Sequence, residues 1–341
     1  MVEGIEMNNR EIKVDILMAT YNGEKYIKQQ LDSILNQTYA NFNIIIADDK
    51  STDSTLDILL DYQKMDPRIS MVQNEQNLGV IKNFEKLINI STAQYFMLCD
   101  QDDVWLETKI EKSLNAIVET KAMIAFSDLQ LVDQNLKLIH KSFLEYQGIK
   151  GINNINWKTL LVQNVVTGCT VIADKNIKRH LPFPNNIPMH DSWLALIASI
   201  HGEIHFINEA LILYRQHESN TIGGENSDDR LWRIDEGYSR FLQERRDKLG
   251  DYIQILSEYR TFGFDNEIVN NDLEYLINSY RIFAEINRLS FGLESIKLKI
   301  KYPSIGVTRN VWWALYLQYP VISYIILNLK KKMYRNRNIH K

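Results

Sequence analysis

The chain has 341 residues, 45% of them hydrophobic and 24% charged, which excludes a disordered polymer and allows a sizeable core without covalent staples. The formal net charge of -4 supplies no basic field, so nucleic acid is not expected as a partner. The two cysteines, Cys99 and Cys169, show neither a CxxC nor a zinc-type spacing and read as buried thiols in a reducing compartment. The N-terminal MVEGIEMNNREIKVD is polar and lacks the apolar core of a signal peptide, so a cytoplasmic protein is expected.

From residue 14 the pattern alternates between strand and helix. VDILMAT at residues 14–20 is a short apolar run that ends in the turn signal Tyr21-Asn22-Gly23. Ile27, Leu31, Ile34 and Leu35 then share one helical face. FNIIIA at residues 42–47 is β-branched and stops abruptly at Asp48-Asp49-Lys50-Ser51. Leu56, Leu59 and Leu60 mark a second helix, residues 69–73 a third strand, and Val80, Ile81, Phe84, Leu87 and Ile88 a third helix. YFMLC at residues 95–99 is a fourth strand, closed by Asp100-Gln101-Asp102-Asp103. This order predicts an α/β fold with a mainly parallel sheet and helices on both faces. Ligands of such sheets bind beyond the carboxyl ends of the strands, where three polar clusters fall here. Further on, residues 122–132 and 169–173 read as strands, 191–200 as a helix, 203–214 as one or two strands, and 219–229 as a polar loop. From Leu231 the pattern is helical. The expected division is a catalytic domain over 1–229 and a helical C-terminal region over 230–341.

Three clusters carry chemistry. The acidic loop places three carboxylates within four residues, and their mutual repulsion is relieved by a divalent cation. Mg²⁺ or Mn²⁺ suits such oxygen ligands and keeps some of its waters. In Asp48-Asp49-Lys50-Ser51-Thr52-Asp53, Asp49 is the candidate ligand for a base N–H or a ribose hydroxyl, and Ser51–Asp53 the candidate helix cap. In Thr20-Tyr21-Asn22-Gly23, the Tyr21 ring can stack on a base and Asn22 can cap the next helix. Asp191 opens an apolar helix carrying Trp193, Leu194, Leu196 and Ile197; it reads either as a proton acceptor or as a cap alone. His217 on its own reads as a surface loop histidine.

In their order and spacing these segments resemble the family-2 inverting glycosyltransferases of the GT-A fold. The pieces are VDILMATYNG, LDSILNQTY, IIIADDKSTDST, NEQNLGVIKNF, YFMLCDQDDVW, MHDSWLAL and YRQHESNTIG, and the resemblance runs from about Val14 to Asn220, roughly two-thirds of the chain. The resemblance implies that Thr20, Tyr21 and Asp49 hold the nucleoside, with Asn22, Asn77 and Asp102 completing the nucleotide site. It makes Asp102 and Asp103 the metal–diphosphate motif, joined by His217, with Mn²⁺ or Mg²⁺ as cofactor. It makes Asp191 the catalytic base and sets Arg215, His190 and Trp193 toward diphosphate or acceptor. His190 stands where the family commonly has an acidic or polar residue. DQDDVW and YRQH-x-x-N resemble bacterial rhamnosyltransferases, which implies dTDP-rhamnose as donor and a glycan acceptor, free or lipid-linked, in surface polysaccharide synthesis. A nucleotidyltransferase would place a glycine-rich basic loop after the first strand, where this chain has one glycine, Gly23. A dehydrogenase would need G-x-G-x-x-G there. A nucleotide-sugar-binding scaffold without turnover is the non-enzyme alternative, against which the intact Asp102, Asp103 and Asp191 stand.

The C-terminus adds VWWALYLQYPVISYIILNL at residues 311–329, followed by Lys330, Lys331, Lys332, Arg335, Arg337 and Lys341. An apolar, aromatic run with a basic flank suits a helix lying in the inner face of a membrane. The alternative is a helix packed on the catalytic domain or on a second subunit of a homo-oligomer. Pro320 and Gln318 interrupt the run and disfavour a spanning helix.

Overall fold

The structure, a computed structural model, describes residues 11–149, 152, 155–161, 163–217 and 238–284. The loop 219–229 and the apolar run 311–329 lie outside the described residues. Among the described residues no helix is long and apolar enough to cross a membrane.

Strands β1 (Val14–Thr20), β2 (Phe42–Asp48), β3 (Ile69–Gln73) and β4 (Tyr95–Cys99) alternate with helices α1 (Ile27–Leu35), α2 (Thr55–Met65) and α3 (Val80–Ile90). After them come β5 (Val104–Trp105), α4 (Lys109–Thr120), β6 (Ile124–Val132), β7 (Leu138–His140), the short α5 (Phe143–Tyr146) and α6 (Trp157–Leu160), β8 (Val171–Asp174), α7 (His190–His201) and β9 (Ile204–Arg215). The strands join in one nine-stranded sheet of order β3-β2-β1-β4-β8-β6-β9-β5, with β7 paired to β6. The β1, β2, β3 and β4 pairings are parallel; β8 runs antiparallel to β4 and to β6. Residues 203–214 thus form a single strand rather than two, and Cys169 sits in a 3₁₀ turn before β8.

The interior explains this order. Val14, Ile16 and Leu17 of β1 are all fully buried, so alternate residues are covered on both faces, as a parallel sheet between helices requires. Ile27, Leu31 and Ile34 of α1 and Phe84, Leu87 and Ile88 of α3 present the apolar faces that the periodicity indicated. Two caps differ from expectation. The N-cap of α2 is Ser54, just beyond Ser51, Thr52 and Asp53, and Asn22 does not cap α1, whose N-cap is Tyr26. Asn22 Oδ1 instead accepts the Thr52 N–H at 2.8 Å, tying the two loops together.

Parallel register decides where the loops emerge. Thr20 pairs with Asp48, and Met18 with Cys99, so β1, β2 and β4 end along one edge. The segments 21–23, 49–51 and 100–103 therefore lie side by side. At the other end of the sheet, β5 pairs antiparallel to β9 with Val104 opposite Leu213, which brings Arg215 to Asp103.

The chain divides into two compact units. One holds the described residues of Met1–Asn156, Asn164–Phe183 and Pro188–Gly223; the other holds those of Trp157–Gln163, Pro184–Ile187 and Gly224–Lys341. In the second unit α8 (Tyr238–Phe262) packs on α9 (Glu267–Ala284), burying Leu256, Leu273 and Leu276, with Tyr252 and Tyr280 edge to face at 5.1 Å.

Candidate active site

The end of β2 is a pair of buried carboxylates with different tasks. Asp48 accepts hydrogen bonds from Thr20 Oγ1 (3.1 Å), Ser51 Oγ (2.5 Å), the Ser51 N–H (3.0 Å) and Gln73 Nε2 (3.2 Å), stapling three strand ends. Asp49 accepts from Asn74 Nδ2 at 2.7 Å and from the N–H groups of Leu78 and Gly79, each at 2.8 Å. Its charge thereby faces the N-terminus of α3, where a helix dipole favours an anion. Asn77 is exposed, and its Oδ1 accepts the Gly79 N–H at 3.1 Å.

Gln101 holds the first loop to the acidic one. Its Oε1 accepts the Tyr21 N–H and its Nε2 donates to the Tyr21 carbonyl, both at 2.9 Å. The backbone of Tyr21 is fixed while its ring stays 47% exposed, free to offer a face to a ligand.

The acidic loop splits into two sets. Asp102 turns outward to His217, whose Nε2 lies 2.9 Å from Oδ2, and the His217 ring packs at a tilt against Tyr26 with centroids 4.8 Å apart. Asp103 turns inward and is wholly buried: Oδ1 accepts the Arg215 N–H at 3.2 Å, and Oδ2 has no hydrogen-bond partner. Ligand atoms of Asp100, Asp103 and Cys169 lie within 4.8 Å of one another. Asp102 and Asp103 are therefore neighbours in sequence with separate surroundings, and Asp103 groups with Asp100. Burial, then the charges of Asp102 and Asp191, push the Asp100 carboxyl up to about 7. Burial raises Asp103 well above the carboxylate range. Converging acids with an orphaned buried oxygen are the donor set a divalent cation fits.

Arg215 is buried to 1% exposure and spends its guanidinium on the protein. Nε donates to the Asp102 carbonyl at 2.8 Å, Nη1 to the Gln134 carbonyl at 2.8 Å and Nη2 to Gln29 Oε1 at 2.7 Å, above the Tyr26 ring at 4.4 Å.

Asp191 stands in the first turn of α7, whose N-cap is Met189, so it is not the cap. Its Oδ1 accepts from Asn164 Nδ2 at 3.0 Å and its Oδ2 from the Gly168 N–H at 2.9 Å. Burial raises its carboxyl to about 6, against the pull of those hydrogen bonds. Its charge helps to raise the Asp100 carboxyl. His190 is buried and stacked on Phe84 at 4.1 Å, and burial depresses it to about 3, so the ring is neutral. Trp193 is wholly buried on α7. Sequence reading gave no site role to Asp48, Gln101, Cys169, Asn164 or Gly168. Their roles come from partners tens of residues away, and only the polar strand ends themselves gave a signal.

The family described as Glycosyl transferase family 2 matches residues 15–181. The chain is 30% identical over 215 residues to the putative teichuronic acid biosynthesis glycosyltransferase TuaG of Bacillus subtilis, covering 61% of this chain and 81% of the relative. It is 30% identical over 225 residues to the dTDP-rhamnosyl transferase RfbG of Shigella flexneri, with 62% and 75% covered. To the UDP-Glc:alpha-D-GlcNAc-diphosphoundecaprenol beta-1,3-glucosyltransferase WfgD of Escherichia coli it is 26% identical over 244 residues, with 71% and 87% covered. Among solved structures, S. aureus TarS 1-349 in complex with UDP-GlcNAc shares the fold at a TM-score of 0.53 and 17% identity, over 85% of this chain and 77% of that one. A mannosyltransferase from Pyrobaculum calidifontis, in complex with GDP-Man and Mn2+, shares it at 0.50 and 14%, over 94% and 87%.

Proposed function

The chain belongs to glycosyl transferase family 2, and on that premise we propose that it transfers a sugar from a nucleoside-diphosphate sugar to an acceptor hydroxyl with inversion. One observation carries the reading. An acidic loop at the strand ends, with Asp103 buried, couples through Asp100 to a separate buried carboxylate, Asp191, whose proton affinity is raised to about 6. An inverting transfer needs those two parts: a pole for the leaving diphosphate, and a base for the attacking hydroxyl.

Tyr21 offers its exposed ring to the base, and the Asp49 loop with Asn77 borders the nucleoside. Thr20 and Asn22 shape that floor through Asp48 and Thr52. Asp102, Asp103 and His217, with Asp100 added by the geometry, would hold Mn²⁺ or Mg²⁺, which when bound supplies positive charge to the departing diphosphate. Arg215 holds the Asp102 carbonyl and the Asp103 carboxylate in register, a positioning task that its three protein acceptors support. Asp191 takes the acceptor proton, and neutral His190 and buried Trp193 shape the acceptor side. A carboxyl near 6 is ionised at neutral pH and still basic enough to accept a proton, which suits the role.

For the donor we favour dTDP-rhamnose, then UDP-hexoses; the likeness to RfbG supports the first and that to WfgD the second. The name of WfgD likewise supports a diphosphate-lipid-linked glycan acceptor. A membrane-facing acceptor would give the apolar run 311–329 a purpose. The test is a thermal-shift screen of dTDP-rhamnose, UDP-glucose and GDP-mannose with Mn²⁺, followed by release of nucleoside diphosphate. Stabilisation by one donor and turnover that Asp191→Asn abolishes are expected. Binding without any release of nucleoside diphosphate would reject the transferase reading.

A further inference from the structure

Both oxygens of Asp191 are held from one short segment, residues 164–168. Asn164 Nδ2 reaches Oδ1 at 3.0 Å, and the Gly168 N–H reaches Oδ2 at 2.9 Å. Asn164 is itself locked. The same Nδ2 donates to the Val166 carbonyl at 2.9 Å, and Oδ1 accepts the Val166 N–H at 3.0 Å. This Asx-type turn fixes which face of the amide looks at Asp191. Gly168 is buried, and a Cβ there would stand 2.9 Å from His190 Nε2 and 3.5 Å from Asp191 Oδ2. His190 has no room to yield, because its ring is 4% exposed and stacked on Phe84.

We propose that Asn164 and Gly168 form a two-point clamp that aims the Asp191 carboxylate at the acceptor hydroxyl, with Asn164 a positioning residue for the transfer. The proposal rests on the reading of Asp191 as the base. An aspartate carboxylate otherwise turns freely about its last torsion, which is broad. Donors from residues 164–168 on both oxygens, added to the Ser192 N–H at the start of α7, fix its plane. Misplacement by about 1 Å is enough to cost on the order of 10²-fold in rate. Both hydrogen bonds go to the ionised form and so oppose its protonation. The titratable groups facing Asp191 are Asp100, which the Asp191 charge helps to keep protonated, and neutral His190.

The experiment compares Asn164→Asp and Asn164→Ala with wild type and Asp191→Asn. The Asp variant keeps an oxygen for the Val166 N–H and so preserves the turn, but it sets a carboxylate in place of the donor. Nucleoside diphosphate release from dTDP-rhamnose and UDP-glucose is followed between pH 5 and 9. Binding of dTDP and UDP with Mn²⁺ is measured by calorimetry. Both variants should bind nucleotide within about threefold of wild type while kcat falls roughly tenfold or more. The acid limb of kcat should move to higher pH, further in the Asp variant than in the Ala variant. A ¹³C titration of the Asp191 carboxyl reports the same shift where neither donor turns over. An unmoved titration, or wild-type kcat and acid limb in both variants, overturns the clamp. Turnover by Asp191→Asn sinks the base reading instead, so the two failures are told apart.

Discussion

His217 Nε2 and Asp102 Oδ2 meet at 2.9 Å although 115 residues separate them in the chain. The contact crosses from the end of β9 to the loop after β4, and it is held by the Tyr26 ring beneath the imidazole. A carboxylate that orients an imidazole this way is a common device beside a metal. His217→Ala should therefore weaken Mn²⁺-dependent nucleotide binding by about 10- to 100-fold and leave Mn²⁺-independent binding unchanged. Calorimetry of UDP and dTDP with Mn²⁺ and with EDTA checks this; equal affinities for variant and wild type would remove His217 from the site.

The pH dependence of turnover follows from Asp191. A base must be ionised before it can accept a proton, so kcat should be full above about pH 6 and fall as pH drops through that value. Asp191→Asn keeps the shape and should lose roughly 10²–10⁴ in kcat at neutral pH with donor binding retained. The pH–rate profile and single-point kinetics test both parts, and a loss below tenfold would contradict the assignment.

Residues 14–99 were legible because each strand and helix carries its own period, and the parallel register then brings the polar strand ends together without further information. The acidic loop was legible as a cluster but not in its division. Nothing in Asp102-Asp103 tells that the second turns inward, because the cause is the backbone N–H of Arg215, 112 residues away. Asp49 was read as a ligand alone. Its three hydrogen bonds to Asn74, Leu78 and Gly79 show that it also anchors the start of α3, a task set by chain crossing rather than by local pattern.

Stability should respond to pH and cation together. Asp100 is raised to about 7 and Asp191 to about 6, both above the ordinary 3.8. A carboxyl whose affinity for its proton is higher folded than unfolded contributes stability below about pH 4, and that contribution is lost as pH rises through the folded value. This cluster should therefore weaken the fold between pH 4 and 7, and Mn²⁺ should offset the loss. Differential scanning fluorimetry should show a larger Mn²⁺-induced rise in Tm at pH 8 than at pH 5. Asp100→Asn should raise the cation-free Tm at pH 8 by on the order of 2–4 °C. An Mn²⁺ effect that is equal at both pH values would mean that the ion does not meet these carboxylates.

Arg215 separates a ligand from a scaffold. If it served only to contact diphosphate, its replacement would leave the donor-free protein as stable as before. Its guanidinium instead ties the Asp102 carbonyl, the Gln134 carbonyl and Gln29 Oε1 from a buried position. Arg215→Lys keeps a charge but cannot match a planar fork with three separate acceptors. At least one buried acceptor is left unpaired, which costs about 1–3 kcal/mol. Chemical denaturation without nucleotide should show a loss of about that size. Cation-dependent nucleotide binding should fall with it, because the Asp102 carbonyl loses the guanidinium that fixes the acidic loop, while the backbone N–H to Asp103 stays. A variant as stable as wild type that has lost only donor affinity would return Arg215 to the role of diphosphate ligand.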